Sequence, residues 1–387
     1  MQKLLLLFTF LLTLPTVFSQ SLEDLSFGTD STLEVMTWNV EWFPKNGQTT
    51  IDYVIEIIQA LDVDVIALQE IDEKPMFEQL VDDLDGWDGY WVESEYLALA
   101  YLYKPDVIEV EDIFEIYTSN NRELPRAPLV MKMKYMGEGF VVINNHLKCC
   151  GDGVIDLNNP WDEETRRYDA CNLLEQYIRI FYPDGNVIFL GDLNDILNDN
   201  VVNNVFQTFL DDTENYLFAD IGIAGGNSSN WSYPTWPSHL DHILITNELF
   251  DVLEDESSTI QTIKIDDYLP NGWWEYENYV SDHRPVAIKL NMQSNGLPLN
   301  GVALANPNFS SHPNPSTGST TLTFDPARQN TSIAIFNAMG RQVQDFTIPK
   351  GQASVVWDTK GFPEGEYCAG LLTDRQVIAV RRIILLK

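Results

Sequence analysis

The polar residues best suited to chemistry fall in short segments spread along the chain. Asn39 lies in Thr37-Trp38-Asn39-Val40, and Glu70 ends Ala67-Leu68-Gln69-Glu70. His146 follows Asn144-Asn145. Asp192 and Asn194 share Gly191-Asp192-Leu193-Asn194-Asp195. Asp241 precedes His242, and Asp282 and His283 sit in Ser281-Asp282-His283-Arg284-Pro285. Phosphodiester hydrolysis needs a Lewis acid to polarise phosphoryl oxygens and offset charge on the leaving oxygen. Hard divalent cations do this with oxygen ligands, and Glu70 with Asn39 offers a carboxylate and a carbonyl. A water must also be oriented and deprotonated. Asp192 and Asn194, two apart on a turn, can hold it and bond the phosphoryl oxygens. A histidine moves protons best with a carboxylate partner that fixes its tautomer. His283 with Asp241 fits that role. His146 is a second candidate, donating to a phosphoryl oxygen or protonating the leaving group.

Each segment alone is ordinary. An Asn before a turn, or an Asp after Gly, is commonly a structural cap. The pattern gains weight from its order. The chain has five histidines, and His146, His239, His242 and His283 fall within or beside these segments. Each segment also adjoins a hydrophobic run, and strand ends are where α/β proteins gather ligand groups.

The elements that would position these residues are short. Leu33–Val40, Val63–Gln69, Tyr96–Tyr103, Leu129–Met133, Val141–His146, Val187–Leu190, His242–Thr246 and Val286–Leu290 read as strands. Ile51–Ala60 and Thr165–Phe181 have helical spacing, the second opened by Asp162, Glu163 and Glu164. Turns join strands as often as helices do, so a mixed sheet is expected. The C-terminal part has no such helices. Thr320–Phe324, Ser332–Phe336, Ser354–Trp357, Tyr367–Leu372 and Val377–Leu386 alternate or run apolar, the pattern of a small all-β sandwich.

Composition bounds the organisation. Lys3, the apolar run Leu4–Leu14 and Val17-Phe18-Ser19 read as a signal peptide cleaved after Ser19. That run is too short for a comfortable transmembrane span, and no other stretch approaches ~18 apolar residues. A secreted, soluble, monomeric protein is expected, with a catalytic region over 20–292, a Gly/Pro/Asn-rich linker at 293–305 and a C-terminal module over 306–387. Residues 20–305 carry 14 basic and 52 acidic residues, a net of −38, while 306–387 are close to neutral. Such a surface repels nucleic acid at low salt and counts against tight, general DNA binding. Salt shortens that repulsion. Export favours cysteine pairing. Adjacent Cys149 and Cys150 cannot easily bond to each other without strain, so one of them is expected to pair with Cys171.

Together the Trp-Asn, Leu-Gln-Glu, Gly-Asp-Leu-Asn and Ser-Asp-His-Arg-Pro segments resemble the endonuclease/exonuclease/phosphatase superfamily from about Leu33 to Leu290. The resemblance implies a four-layer α/β/β/α sandwich: two facing, mostly antiparallel sheets with helices outside. It implies Mg²⁺ as cofactor, with Mn²⁺ an alternative. Asn39, Glu70 and Asp282 take the metal site. Asp192 orients water, Asn194 binds phosphate, and Asp241 pairs with the catalytic His283. His146 matches the second histidine of deoxyribonuclease-like members, and Arg126 resembles an arginine placed near a phosphate. The loop Cys149-Cys150-Gly151-Asp152-Gly153, continuing through Asp156, Asn158, Asn159 and Asp162, departs from the shared pattern. Its acidic spacing could hold structural Ca²⁺ but follows no EF-hand order and reads as a solvated loop.

The C-terminal module resembles the sorting domain of the type IX secretion system of Bacteroidota. The residues are Pro313-Asn314-Pro315-Ser316-Thr317-Gly318, Ile335-Phe336-Asn337-Ala338-Met339-Gly340-Arg341, Gly361-Phe362-Pro363-Glu364-Gly365-Glu366-Tyr367 and the basic end Arg381-Arg382 to Lys387. This implies passage across the outer membrane by that machinery, with the domain then removed or kept as an anchor. The leading functional expectation is an extracellular nuclease acting on DNA or RNA. An enzyme of small or lipid phosphates is the alternative, favoured by the acidic balance. A binding protein on a dead scaffold would lack Glu70, Asp192 or His283, and all three are present.

Overall fold

The computed structural model describes residues 20–92, 97–292, 308–328, 331–337, 339–373 and 376–386. The expected signal segment 1–19 and linker 293–305 lie outside the described residues. The larger, N-terminal region contains strands β1 (Leu33–Phe43), β2 (Val65–Ile71), β3 (Asp88–Trp91), β4 (Ala98–Tyr103), β5 (Ile108–Glu115) and β6 (Leu129–Tyr135). It continues with β7 (Glu138–His146), β8 (Asn186–Asp192), β9 (Tyr216–Phe218), β10 (Asp241–Thr246), β11 (Thr259–Thr262) and β12 (Val286–Leu290). One sheet runs β11-β12-β1-β2-β4-β3 and the other β5-β6-β7-β8-β10-β9.

Pairing is antiparallel except at β1–β2 and β7–β8. Parallel neighbours need a crossover. Helix α1 (Gln48–Leu61) supplies the first, and after α2 (Lys74–Asp83), α3 (Glu163–Phe181) supplies the second. α1 buries Ile51, Val54, Ile57, Ile58 and Leu61 on one stripe. It stops at Asp62, whose left-handed backbone returns its N–H to the Ile58 carbonyl. α3 starts where the Asp162 carboxylate accepts the Thr165 N–H, with Glu163 and Glu164 in the first turn.

Alternation along β1 shows how four layers arise. Leu33 and Val35 enter a core shared with Tyr101, Met131, Val142, Ile188 and Ile243, strands of both sheets. Met36, Trp38 and Val40 point the other way, into a core with α1, α2 and the helix Gly272–Tyr279. On the far face, Val187 and Phe189 pack against Cys171, Leu174 and Ile178 of α3. The expected helix–sheet–sheet–helix sandwich is therefore present. The strands of this region that sequence patterning passes over, β3, β5, β9 and β11, are the four edges of its two sheets.

Between the sheets, below the strand ends, lies a buried polar tie. Gln69 donates from Nε2 to Asn144 Oδ1 at 2.8 Å. Asn144 donates from Nδ2 to the carbonyls of Leu68 (2.9 Å) and Ala100 (3.0 Å). These bonds couple β2 and β4 of one sheet to β7 of the other.

The C-terminal region is all β: β13 (Ser310–His312), β14 (Ser319–Thr323), β15 (Thr331–Asn337), β16 (Gln342–Ile348), β17 (Ser354–Asp358), β18 (Gly365–Thr373) and β19 (Gln376–Leu385). Sheets β13-β14-β17 and β16-β15-β18-β19 enclose a core around Trp357, Ile333, Ile335 and Ile383. No helix among the described residues is long and apolar enough to cross a membrane.

One expectation about the connecting loop changes. All four cysteines are free, and Cys171 faces the core under α3, so the bridge from Cys149 or Cys150 is not formed. The acidic side chains after it are occupied as turn and cap acceptors. Asp162 takes the N–H groups of Thr165 and Asp156, and Glu164 takes that of Gly153 at 2.6 Å.

Replacing Asn144 by Leu strips partners from buried polar groups of β2 and β4 in the facing sheet. We expect a loss of about 3 kcal/mol in denaturant unfolding. A change under about 0.5 kcal/mol, the scale of an ordinary surface substitution, would show that the tie contributes nothing.

Candidate active site

Strand register brings the chemistry-bearing segments to one end of the sandwich. β7 and β8 run parallel with His146 opposite Asp192, and β8 pairs antiparallel with β10 so that Asp192 faces Asp241. Gly191 lets these strands close: its φ is 146°, and a Cβ there would stand 1.9 Å from the Asn145 carbonyl oxygen. In the facing sheet, Asn39 of β1 pairs with Gln69 of β2, and Glu70 follows at the break in that pairing. The β1–β2 register shifts between Asn39 and Phe43. Glu41, Trp42 and Glu70 there take positive φ, a strain of the kind that clusters at functional sites. β12 begins just after His283.

Asn39 spans the gap between the sheets. Its Nδ2 donates to Asp192 Oδ2 at 3.0 Å and to Glu70 Oε1 at 3.2 Å. The Asn39 Oδ1 accepts the Glu41 N–H at 2.9 Å, so the amide presents its donor side to the carboxylates. Glu70 Oε2 accepts the Trp42 N–H at 3.2 Å. Ser281 donates from Oγ to the Asn39 carbonyl at 2.7 Å and accepts the His283 N–H at 2.9 Å. Tyr276 donates to the His283 carbonyl at 2.7 Å and itself accepts from Trp38 Nε1.

His283 Nδ1 bonds Asp241 Oδ2 at 2.7 Å, leaving Nε2 3.8 Å from Asp192 and 3.9 Å from Asp282. Tyr233 packs over the ring with centroids 4.8 Å apart. His146 Nε2 lies 3.5 Å from Asp192 and 3.8 Å from Glu70. Asn194 is tied by its N–H to Asp192 Oδ1 and by Nδ2 to the Leu147 carbonyl. Arg126 is half-buried within electrostatic reach of Glu70 and Asp192, and its Nε has no protein partner.

The two histidines are driven apart. Burial opposes charge on His283, yet Asp241 and Asp192 outweigh it and hold the ring well above the usual imidazole range. Burial, then the charges of Arg126 and His283, hold His146 well below it. The His146 Nδ1 is buried without a partner among the described residues, which puts the neutral ring's proton on Nε2, facing the carboxylates. Burial also pushes the carboxyls of Asp192 and Glu70 upward. Carboxylates outnumber the cations they face here. Oxygen donors and the crowded negative charge around Glu70 and Asp282 suit a hard divalent cation.

Every site residue expected from sequence lies in or beside this cleft. Sequence reasoning missed Glu41, which accepts the Asp282 N–H at 2.9 Å and pairs with Lys45. It also missed Tyr233 and Tyr276; their proximity to His283 is tertiary and leaves no spacing signal. Behind Asp241 lies a second histidine pair. His242 Nδ1 bonds Asp220 at 2.6 Å, its Nε2 meets the Asp195 carbonyl at 2.9 Å, and His239 stands 3.1 Å from Asp220. These rings brace β8 and β10 from within the core.

Residues 36–283 match the Endonuclease/Exonuclease/phosphatase family, and residues 310–386 match the Secretion system C-terminal sorting domain. No curated protein matches the chain. Among solved structures, D. rerio TDP2 humanized by 14 mutations aligns with a TM-score of 0.51 at 14% identity, over 68% of this chain and 100% of its own. D. rerio TDP2 complexed with a single-strand DNA product aligns with a TM-score of 0.50 at 15% identity, again over 68% and 100%. At these identities the likeness is one of fold. The family match spans most of the chain and takes in the cleft, so this protein belongs to the endonuclease/exonuclease/phosphatase family and carries a C-terminal secretion-system sorting domain.

Proposed function

We propose that the protein is a secreted, divalent-metal-dependent phosphodiesterase, and that its substrate is DNA or RNA outside the cell. The observation that carries this reading is the His283–Asp241 pair beside Asp192, in one cluster with His146, Glu70 and Arg126. The sorting domain supports export.

Glu70 and Asp282 would hold Mg²⁺ or Mn²⁺, which supplies positive charge toward phosphoryl oxygens when bound. Asn39, expected from sequence as a third metal ligand, turns its Oδ1 to the Glu41 N–H and keeps Glu70 and Asp192 in register with each other. Asp192, whose carboxyl burial already favours protonation, takes the proton from an attacking water. His283 is held charged and oriented by Asp241, and directs Nε2–H at the developing negative charge. His146 has two roles open from sequence. Its depressed basicity favours the neutral donor to a phosphoryl oxygen over the acid. Asn194 and Arg126 add donors on the same side.

Hydrolysis of small or lipid phosphates is a second reading, favoured by the net charge of −38 over residues 20–305. A panel at high salt with Mg²⁺ separates the two. Plasmid DNA and RNA are cleaved faster than sphingomyelin and inositol phosphates on the first reading, and the order reverses on the second. Bis(p-nitrophenyl) phosphate reports bare phosphodiesterase activity.

Asp192→Ala and His283→Ala are each expected to lower kcat by about 10²–10⁴-fold with circular dichroism unchanged. Near-native turnover by folded Asp192→Ala would remove this residue from the mechanism. EDTA should stop turnover, and Mg²⁺ or Mn²⁺ should restore it. Hydrolysis that persists after exhaustive chelation rules out the metal-dependent reading.

A further inference from the structure

The turn after His146 departs from the family pattern, and its cysteines have no role in the chemistry above. The Sγ atoms of Cys149 and Cys150 stand 3.1 Å apart. Cys150 is exposed and Cys149 half-buried, while Cys171 and Cys368 are buried. Cys171 packs with Leu174 and Ile178 under α3, and Cys368 with Ile180, Phe336 and Leu372. Each surface thiol therefore has only its neighbour in reach.

The backbone holds the pair in this shape. Arg167, buried, donates from Nη1 to the carbonyls of Lys148 and Cys150, both at 2.7 Å, and from Nε to Asp195 at 2.9 Å. One guanidinium thus grips both sides of Cys149 and curls the turn, with Cys150 in the left-handed region at φ 71°. Lys148 Nζ donates to the Cys149 carbonyl at 2.8 Å. The same turn joins the active site, because the Leu147 N–H bonds the Asp192 carbonyl at 3.0 Å and Asn194 bonds the Leu147 carbonyl.

We propose that Cys149 and Cys150 form a vicinal disulfide in the exported protein, a redox-sensitive clasp on the turn that links His146 to Asp192 and Asn194. The proposal rests on export through the sorting domain, not on the substrate. The oxidant is the disulfide of a thiol–disulfide exchange partner. One cysteine thiolate attacks that disulfide, forming a mixed disulfide and expelling one thiolate. The second cysteine thiolate attacks the mixed disulfide at the first cysteine's sulfur, closing the Cys149–Cys150 bond and expelling the other. The two protons lost here are matched by two gained on the partner, which takes both electrons. Adjacent Cα atoms are ~3.8 Å apart across a trans peptide, shorter than the ~4.4–6.8 Å usual for a disulfide. The bond is therefore strained and easily reduced. It acts as a labile clasp, where a bridge to Cys171 would have been a static staple.

The test uses the full chain exported by cells, quenched in acid, alkylated with N-ethylmaleimide without reductant and mapped by peptide mass spectrometry. The peptide holding Cys149 and Cys150 should carry no adduct and be two hydrogens lighter than the dithiol. Brief dithiothreitol without denaturant should then admit an adduct at each of the two, while the buried Cys171 reacts only after unfolding. Adducts on both residues before reduction overturn the proposal. So does a bridge from either to Cys171, Cys368 or another chain, and so does a vicinal bond that native-state dithiothreitol leaves intact.

Discussion

Carboxylates crowd one end of this protein more closely than their mutual repulsion allows unless something offsets it. Glu70 and Asp192 meet across the two sheets with the Asn39 amide and the His146 ring between them, and Asp241 and Asp282 close the other side around His283. Three devices make this tenable. Hydrogen-bond donors are spent on the acids, burial raises their proton affinity, and one imidazole is held cationic. The remaining imbalance is what a divalent cation would relieve. The cost of assembling such a site falls on the scaffold. The buried tie of Gln69 with Asn144 and the His242–Asp220 brace serve to hold strand ends that electrostatics alone would drive apart.

Much of this was legible in the sequence, for physical reasons that can be named. Central strands such as β1 and β8 are buried on both faces and read as apolar runs, so their ends, and the polar residues there, could be located. Edge strands were not legible. β5 carries Glu109, Glu111, Asp112 and Glu115 on a half-exposed strand, which erases the apolar signal. The helix Gly272–Tyr279 is short, and its apolar stripe is broken by Glu275 and Glu277. Within the site, the Asp-His pairing could be anticipated from residue types. The Glu41 contact with Asp282 could not, because it depends on the register shift in β1. The cysteine expectation failed for a similar reason: Cys171 looks available along the chain but faces the core in the fold.

The acidic surface and the metal-type cleft point in different directions only if substrate binding is assumed to be electrostatic overall. On the proposed reading, a local cluster of Arg126, His283, Asn194 and His146 would hold one phosphodiester group, while the rest of the surface would repel a polyanion at low salt. Such an enzyme would work best where salt screens the repulsion. The sorting domain places that question outside the cell, where ionic strength is set by the medium.

The central claim is that Glu70 and its neighbours converge to hold a divalent cation. The most direct measurement is calorimetric titration of Mn²⁺ into the metal-free protein, compared with the Glu70→Gln variant at equal fold integrity. The account predicts saturable, stoichiometric binding to the native protein that is lost in the variant. Equal binding by both, or none by the native protein, would contradict it.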